Sequence, residues 1–202
     1  MPPLRPQIDH KIELTSENTL GHSPLYRQTI EELLAIKEYL LENLDKGFIV
    51  PSLAPFASLI LFVKKPDGSL RFYINYRKLN QLIKKDQHPL PLIDETLARI
   101  SQAKIFTKLD IRQAFYRLRI HPDSEELTTF RTRYRSYKYK VLPFGLTNGP
   151  ATYQRYMNIV LFDYLDDFCT IYLDDILIYS DNELEYEEHV RKVLLRLRKA
   201  GL

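Results

Sequence analysis

The sequence predicts an α+β fold in which helices cover one face of a sheet. Segments whose apolar residues recur at helical spacing are interleaved with pairs of strand-like segments joined by short turns. Apolar residues make up 45% of the chain and charged residues 27%, a balance that is typical of soluble globular proteins and excludes wholesale disorder. The 202 residues are enough for one large domain or two small lobes.

The first part of the chain is predicted to form a helix followed by a β-hairpin. Residues 27–46 place apolar side chains at helical spacing with acids between them, and Gly47 follows as a stop signal. Residues 57–65 and 70–75 are rich in branched and aromatic side chains, and residues 66–69 have the composition of a turn. These two strand-like segments therefore predict a hairpin.

The rest of the chain is predicted to alternate helices and strands. A helix at 93–101 is followed by a strand at 104–109 that ends on Asp110, a short helix through Phe115, a hairpin within 127–141 and a loop at 142–150. The next helix begins at Pro150, is capped by Asn148 or Gly149, and has an apolar stripe that continues to Phe168. A strand-turn-strand at 169–180 and a helix at 183–200, capped by Ser180 or Asp181, complete the expected elements.

Several classes of protein are excluded by what the sequence lacks. The longest apolar run, residues 59–63, is only strand-sized, and the proline-containing N-terminus has no apolar stretch, so we expect no transmembrane segment and no secretory signal. This predicts an intracellular protein without resolving cytoplasm from nucleus. The single cysteine, Cys169, excludes an internal disulfide, and the five histidines are too dispersed for a zinc site. No phosphate-loop or dinucleotide-binding glycine motif is present.

Two adjacent carboxylates, Asp174 and Asp175, stand at the middle of an otherwise apolar run with no Lys or Arg within seven residues on either side. Two ionised carboxylates together in apolar surroundings need a compensating cation, and their hard oxygen donors favour Mg²⁺ or Mn²⁺. An exposed turn, in which aspartate is common, explains the pair equally well. Asp110 ends another predicted strand, and if the two strands are neighbours the three acids meet at one edge; a helix N-cap is the alternative for Asp110.

A second Asp pair, Asp166 and Asp167, follows the same Tyr-Leu dipeptide eight residues earlier. Because Tyr164 and Phe168 continue the apolar stripe of the predicted helix, we expect this pair to lie on the helix's solvated side and to bind no catalytic metal.

Basic residues form two candidate binding surfaces. Residues 131–140 contain five cations and three tyrosines without one acid, a composition that is typical of nucleic-acid surfaces. In the hairpin with residues 66–69 as its loop, Lys64 lies opposite Arg71, and such a pair is destabilising unless the two cations share an anion such as a triphosphate. Solvated cations in a shifted register are the alternative.

Six motifs in this order resemble the reverse transcriptases of gypsy-type long-terminal-repeat retrotransposons, of fungal type. The motifs that carry the resemblance are residues 61–69, 76–80, 109–112 with Phe115, 130–134, 142–148 with 150–154, and 172–175. The resemblance covers nearly the whole chain.

The resemblance implies the fingers and palm of a right-hand polymerase, the palm being an antiparallel, ferredoxin-like sheet backed by helices. The implied division is an extended N-terminal segment at 1–26, a fingers-side region at 27–102, and the palm at 103–202 with residues 120–150 partly in the fingers. We expect no thumb, connection or ribonuclease H domain within this chain, and hence weak, salt-dependent binding of nucleic acid and poor processive synthesis.

The resemblance also implies a role for individual residues. Asp110, Asp174 and Asp175 match the catalytic carboxylates, which with the main-chain carbonyl of Ile111 hold two Mg²⁺ or Mn²⁺ ions. The implied reaction transfers the nucleotidyl group of a deoxynucleoside triphosphate to a primer 3′-hydroxyl on an RNA or DNA template, and pyrophosphate leaves. The implied nucleotide-binding residues are Lys64, Arg71, Phe115 (which crowds a ribose 2′-hydroxyl), Phe144 and Gly145. The implied template- and primer-binding residues are Arg131, Arg133, Lys138, Gln154 and Tyr172.

The implied partners are an RNA template, a DNA primer, deoxynucleoside triphosphates and the remainder of a retroelement polyprotein, with no membrane and no zinc. Three positions depart from the family pattern. Asn75 stands where Asp is usual and an Asp could have balanced Arg77, and Tyr73 replaces a smaller residue. Arg135 stands at a turn that usually holds Gly, where we expect a strained positive φ. The alternative function is a truncated relic or nucleic-acid-binding module without turnover, and a metal nuclease is a third, weaker reading.

Overall fold

The computed structural model describes residues 1–16, 20–21, 25–64, 66, 68–88, 93–101 and 103–202. In chain order its helices and strands are α1 (Ile30–Asp45), β1 (Ile49–Pro51), β2 (Ser58–Lys64), β3 (Leu70–Asn75), α2 (Arg77–Leu82), α3 (Ile93–Ile100), β4 (Ile105–Asp110), β5 (Phe130–Arg131), β6 (Ser136–Tyr139), α4 (Gly149–Leu161), β7 (Cys169–Tyr172), β8 (Asp175–Ser180) and α5 (Glu183–Ala200). Short 3₁₀ helices span Ala114–Arg117, Pro122–Thr128 and Phe162–Tyr164.

The chain forms two compact units. The first comprises Met1–Lys85 and Leu118–Gly149, and the second comprises Asp86–Arg117 and Pro150–Leu202. Residues 86–102 thus group with the C-terminal part of the chain, whereas we predicted a division after residue 102. None of the described helices combines the length and the apolar character that a membrane crossing requires.

The first unit is built on a five-stranded sheet of order β1-β6-β5-β2-β3, in which only β2 and β5 run parallel. Helix α1 begins at a full capping box, since the Thr29 hydroxyl accepts from the Glu32 amide while the Glu32 carboxylate accepts from the Thr29 amide. Its Tyr39 ring stacks on Phe72 of β3 at 4.0 Å. This helix was predicted from its apolar spacing, and the prediction is confirmed.

The hairpin of β2 and β3 forms as predicted, but its register differs by one residue. Lys64 pairs with Leu70 and Arg71 pairs with Val63, so Lys64 and Arg71 point to opposite faces of the hairpin and the expected like-charge pair does not exist. The observed register places Phe62 directly opposite Phe72, with their rings edge to face at 5.9 Å. Packing of this aromatic pair favours the register found. Lys65 and Asp67, within the connecting loop, lie outside the described residues.

The second predicted hairpin, within residues 127–141, is shorter than expected. Residues up to Thr128 belong to a 3₁₀ helix, and only β5 and β6 pair. The turn between them is held by Thr132, whose hydroxyl accepts from the amides of Tyr134 and Arg135 and donates to the Arg135 carbonyl at 2.8 Å. Arg135 does not have a positive φ, so the predicted backbone strain at this residue is wrong.

The second unit contains an antiparallel sheet of order β4-β8-β7. Helix α5 contributes the buried Val193 and Leu197, and helix α4 contributes a buried face that includes Tyr153 and Met157. The predicted helix at 183–200 and strand-turn-strand at 169–180 are both confirmed. The cap of α5 is Asn182, whose side chain accepts from the Leu184 amide, and not Ser180 or Asp181.

Helix α4 ends at Leu161, earlier than its apolar stripe predicts. The stripe continues because Tyr164 and Phe168 stack at 5.1 Å across a turn in which Asp166 has φ +67°. The Asp166–Asp167 pair therefore lies on an exposed turn and not on the side of a helix, and Asp166 forms an ion pair with Arg99.

Candidate active site

The hairpin of β7 and β8 carries the adjacent carboxylates in its turn. Tyr172 pairs with Asp175, which leaves Leu173 and Asp174 as a two-residue turn. Leu173 has φ +56°, a left-handed conformation that is costly for a residue with a Cβ. Gln113, three residues after Asp110, has φ +54°. Strained backbone of this kind concentrates at functional sites, because the surrounding structure must impose it.

The third predicted carboxylate reaches the same end of the sheet through strand pairing. Six successive pairs join β4 to β8, from Ile105 opposite Ser180 to Asp110 opposite Asp175. One step beyond the ladder, the Ile111 amide donates to the Asp174 carbonyl at 3.1 Å. Two carboxylates directly opposite each other destabilise an antiparallel pair unless a cation lies near them, so this arrangement points to a cation-binding edge.

A lysine that the sequence reasoning missed supplies positive charge at this edge. Lys108 lies two residues before Asp110 on the same face of β4, and its Nζ is 2.9 Å from Asp175 Oδ2. The hydrogen bond and charge of Asp175 raise the pKa of Lys108, and the charges of Asp110 and Asp174 act in the same direction. The sequence around Asp174 and Asp175 contains no nearby Lys or Arg, because their counter-ion comes from the neighbouring strand. The alternation of side chains along β4 could have indicated Lys108, because it places Lys108 on the same face of the strand as Asp110.

The three carboxylates match the donor chemistry of a hard divalent cation, although they are not drawn together as a finished metal site. Among the residues that the structure describes, no three side chains of His, Cys, Asp or Glu are placed to hold one ion. Asp110 and Asp174 are exposed, and Asp175 is engaged by Lys108. Ligation of a divalent ion by Asp175 would therefore compete with its contact to Lys108.

Gln154 of α4 lies directly beneath the carboxylate turn. Its Oε1 accepts from the Leu173 amide at 2.8 Å, and its Nε2 donates to the Ile171 carbonyl at 3.2 Å and to Asn158 Oδ1 at 2.9 Å. The side chain is 0% exposed. Its position does not support the predicted contact with a template strand, because no part of Gln154 reaches the surface.

Phe115, predicted to crowd the sugar of the nucleotide, is half-buried in the 3₁₀ helix that follows Asp110. Its ring meets the ring of Tyr153 edge to face at 5.6 Å. Tyr153 is 0% exposed and its hydroxyl has no hydrogen-bond partner among the described residues. Burial, and then the charge of Asp174, raise the pKa of Tyr153, so this hydroxyl stays neutral beside the carboxylates.

Other predicted residues lie in the first unit, where Asn80 organises the loop that contains Gly145. The Asn80 amide donates to the Gly145 carbonyl at 2.7 Å and accepts from the Thr147 amide at 3.0 Å. Gly145 has φ +96°, which accounts for a glycine at this position. Phe144 is exposed. Sequence reasoning missed the role of Asn80, which depends on contacts between residues more than 60 positions apart.

The predicted cations of the first unit differ in their surroundings. Lys138 is 18% exposed and forms ion pairs with Glu125 at 3.3 Å and Glu126 at 2.7 Å, so its charge is already matched. Arg133 is exposed and Arg131 is partly exposed. Arg71 donates to the Tyr73 hydroxyl at 3.2 Å.

Asn75, which stands where the family usually has Asp, still contacts Arg77. The Arg77 Nε donates to Asn75 Oδ1 at 2.9 Å, so the neutral amide takes the place that a carboxylate would have.

The predicted site residues thus divide between the two units. The second unit holds Asp110, Ile111, Phe115, Gln154, Tyr172, Asp174 and Asp175, and the first holds Lys64, Arg71, Arg131, Arg133, Lys138, Phe144 and Gly145. Strand pairing brings the three acids to the same end of the sheet, and Tyr172, which is exposed, pairs with Asp175.

Comparison with known proteins identifies relatives of this chain. The family described as reverse transcriptase (RNA-dependent DNA polymerase) matches residues 63–202. The Transposon Tf2-3 polyprotein of Schizosaccharomyces pombe is 34% identical over 195 residues, which cover 96% of this chain and 15% of the polyprotein. The Tf2-7 polyprotein of the same organism matches to the same extent. The chain therefore spans about 15% of the length of these relatives.

Solved structures show the same fold. The chain is similar to a crystal structure of the prototype foamy virus protease-reverse transcriptase, with a TM-score of 0.83 and 26% identity over 95% of this chain and 26% of the other. It is also similar to the foamy viral protease-reverse transcriptase in complex with an RNA/DNA hybrid, with a TM-score of 0.84 and 21% identity over the same shares. The fold class inferred from the resemblance, the fingers and palm of a right-hand polymerase, is confirmed. With a family match over more than half of its length and a fungal retrotransposon relative at 34% identity, the chain belongs to the reverse transcriptase family.

Proposed function

We propose that this chain carries the nucleotidyl-transfer site of an RNA-directed DNA polymerase, with Asp110, Asp174 and Asp175 as its metal-binding carboxylates. The observation that carries the proposal is the direct pairing of Asp110 with Asp175 at the end of the β4–β8 ladder. Membership of the reverse transcriptase family and the likeness to an enzyme solved with an RNA/DNA hybrid support the same reading. The proposed substrates are deoxynucleoside triphosphates, added to a primer on an RNA or DNA template.

The protein contributes a fixed main chain from which the three carboxylates project. The six pairs of the ladder fix the main chain of Asp110 against that of Asp175, and the Ile111 amide fixes the carbonyl of Asp174. Lys108 lowers the mutual repulsion of the three acids through its ion pair with Asp175. When bound, two Mg²⁺ or Mn²⁺ ions would activate the primer 3′-hydroxyl and stabilise the pyrophosphate leaving group.

Phe115 is proposed to select the deoxyribose. Its ring is held from below by the buried ring of Tyr153, so it cannot move freely away from an added 2′-hydroxyl. Lys64, Arg71, Phe144 and Gly145 stay predicted nucleotide-binding residues on the strength of the resemblance, and the main-chain carbonyl of Ile111 stays a predicted metal ligand. For the two cations, the like-charge argument no longer applies, because they point to opposite faces of their hairpin.

Arg131, Arg133 and Tyr172 stay predicted contacts for template or primer, as their exposed or partly exposed side chains permit. The remainder of a retroelement polyprotein is proposed as a covalent partner, because the relatives that match are polyproteins. Lys138 is a poor candidate for a phosphate contact, since binding would break two ion pairs.

The experiment that tests the proposal is primer extension with Mg²⁺, comparing the wild-type chain with Asp110→Asn and Asp174→Asn. Each variant keeps the shape of the side chain and removes one charge, and we expect extension to fall at least ~10²-fold, as when other groups that stabilise transition-state charge are removed. Asp167→Asn is the matched control, because it makes the same change in the second Asp pair, on an exposed turn.

The measurement also separates the proposal from its main alternative. Equal extension by wild type and Asp174→Asn would contradict the assignment of the site. Binding of an RNA/DNA hybrid by the wild-type chain without extension in Mg²⁺ or Mn²⁺ would instead support a nucleic-acid-binding module without turnover. Thermal stabilisation by Mn²⁺ that is lost in Asp110→Asn, but kept in Asp167→Asn, would show metal binding at the proposed carboxylates without relying on turnover.

A further inference from the structure

The carboxylate turn is held from two directions. From β4, the Ile111 amide binds the Asp174 carbonyl at 3.1 Å. From α4, the side-chain amide of Gln154 binds both the Leu173 amide in the turn and the Ile171 carbonyl in the strand that enters it. We call the contacts of Gln154 with Ile171 and Leu173 the Gln154 clamp. The clamp joins the strand to the turn immediately before the two carboxylates.

The conformation that the clamp holds is one that the chain would not adopt readily by itself. Leu173 has φ +56°, and a side chain with a Cβ disfavours this region. The Leu173 amide is partly buried and would lose its hydrogen-bond acceptor without Gln154 Oε1 at 2.8 Å. The hydrogen bond therefore offsets part of the cost of the strained turn.

Asn158, one helical turn further along α4, determines which end of the Gln154 amide faces the turn. Its Oδ1 accepts from Gln154 Nε2 at 2.9 Å, which directs Oε1 towards the Leu173 amide. All the polar atoms of the Gln154 side chain are thus used in a position that is 0% exposed. A long polar side chain that is fully buried and fully paired specifies one arrangement of its neighbours.

We propose that Gln154 is a positioning residue for the catalytic turn: through Leu173 and Ile171 it fixes the main chain that presents Asp174 and Asp175, and Asn158 orients it. The consequence for catalysis depends on the proposed function, whereas the consequence for the turn does not. Gln154 itself touches neither nucleotide nor template in this reading.

The test compares Gln154→Met with Tyr156→Phe in the full chain. Gln154→Met keeps the length of the side chain and removes every hydrogen bond of the clamp. Tyr156→Phe is the matched control, because it removes a hydrogen bond from the same helix, made at 3.0 Å to the Ala200 carbonyl at the end of α5 and away from the turn. Asn158→Ala is the second variant, since it removes the orienting contact and leaves Gln154 in place.

Three readouts separate positioning from general stability: hydrogen exchange of the Leu173 amide by NMR, Mn²⁺ affinity, and the kcat and KM of primer extension. In Gln154→Met we expect Leu173 exchange to accelerate and Mn²⁺ affinity and kcat each to fall ~10–100-fold, the loss seen when residues that orient metal ligands are replaced. The KM for the nucleotide should stay within ~twofold, because uniform binding is not altered. Asn158→Ala should shift the same quantities by a smaller factor, and Tyr156→Phe should shift none of them.

The proposal is overturned if Gln154→Met and Asn158→Ala show the same Leu173 amide exchange and the same Mn²⁺ affinity as Tyr156→Phe. If Gln154→Met does not fold, Asn158→Ala decides by the same comparison. A wild-type chain that neither binds Mn²⁺ nor extends a primer would refute the proposed function, and the exchange of the Leu173 amide would still decide whether the Gln154 clamp exists.

Discussion

The left-handed backbone of Leu173 predicts the sign of the stability difference between glycine and alanine at this position. Leu173→Ala keeps a Cβ in the unfavourable region of φ +56°, whereas Leu173→Gly removes it. A residue with a Cβ pays about 1–2 kcal/mol in the left-handed region, and glycine loses about 0.5–1 kcal/mol through its greater freedom in the unfolded chain. We therefore expect Leu173→Gly to be more stable than Leu173→Ala by about 0.5–1 kcal/mol.

The matched control is Phe106, an exposed residue of strand β4 with ordinary extended backbone. At this position the order should reverse, with Phe106→Ala more stable than Phe106→Gly by about 0.5–1 kcal/mol. The free energy of unfolding from urea titrations of the four variants gives both differences. If Leu173→Gly is the less stable member of its pair by the same margin as Phe106→Gly, the left-handed turn is not part of the folded protein.

Three further predictions concern stability. Tyr153→Phe removes a buried hydroxyl that has no partner among the described residues, so urea unfolding should show a gain of about 1 kcal/mol, and a loss would contradict this. Gly145→Ala should cost about 1 kcal/mol through backbone strain alone. Space is sufficient, because an added Cβ would lie 3.6 Å from the Ile74 carbonyl oxygen, and Gly21→Ala, which meets nothing within 4 Å, is the control with little expected change. Burial raises the pKa of the Cys169 thiol from 9.0 to about 12, so its contribution to stability is complete below pH 9 and is lost as the pH rises towards 12. The free energy of unfolding should fall more steeply in wild type than in Cys169→Ala, by up to about 1.4 kcal/mol per pH unit over that range, and parallel curves would contradict the assignment.

Much of the fold and of the candidate site followed from local patterns. Helix α5 was predicted within its observed bounds from its amphipathic spacing. The Asp174–Asp175 pair became a candidate metal site because adjacent carboxylates in an apolar run require compensation, with an exposed turn as an equal alternative until the resemblance was considered. The order of the six motifs then indicated the family without any knowledge of the fold.

What could not be predicted depends on contacts between distant parts of the chain. The register of the β2–β3 hairpin follows from the packing of Phe62 on Phe72, which turn composition does not reveal. The counter-ion of Asp175 is Lys108, 67 positions earlier in the sequence and adjacent only through strand pairing. Gln154 was predicted to contact the template because the resemblance implied it, whereas its burial and its hydrogen bonds to Ile171 and Leu173 come from folding of the chain and are not visible in the sequence.

The β4–β8 ladder has a consequence for how this chain can vary over time. Because side chains alternate between the two faces of a strand, removing or adding one codon within Ile105–Asp110 or Asp175–Ser180 would reverse which face Asp110 presents relative to Asp175. Replacements of single side chains along these strands would change packing and leave the spacing intact. Lineages of this sequence should therefore tolerate the exchange of residues in the two strands far more readily than the insertion or deletion of a residue there.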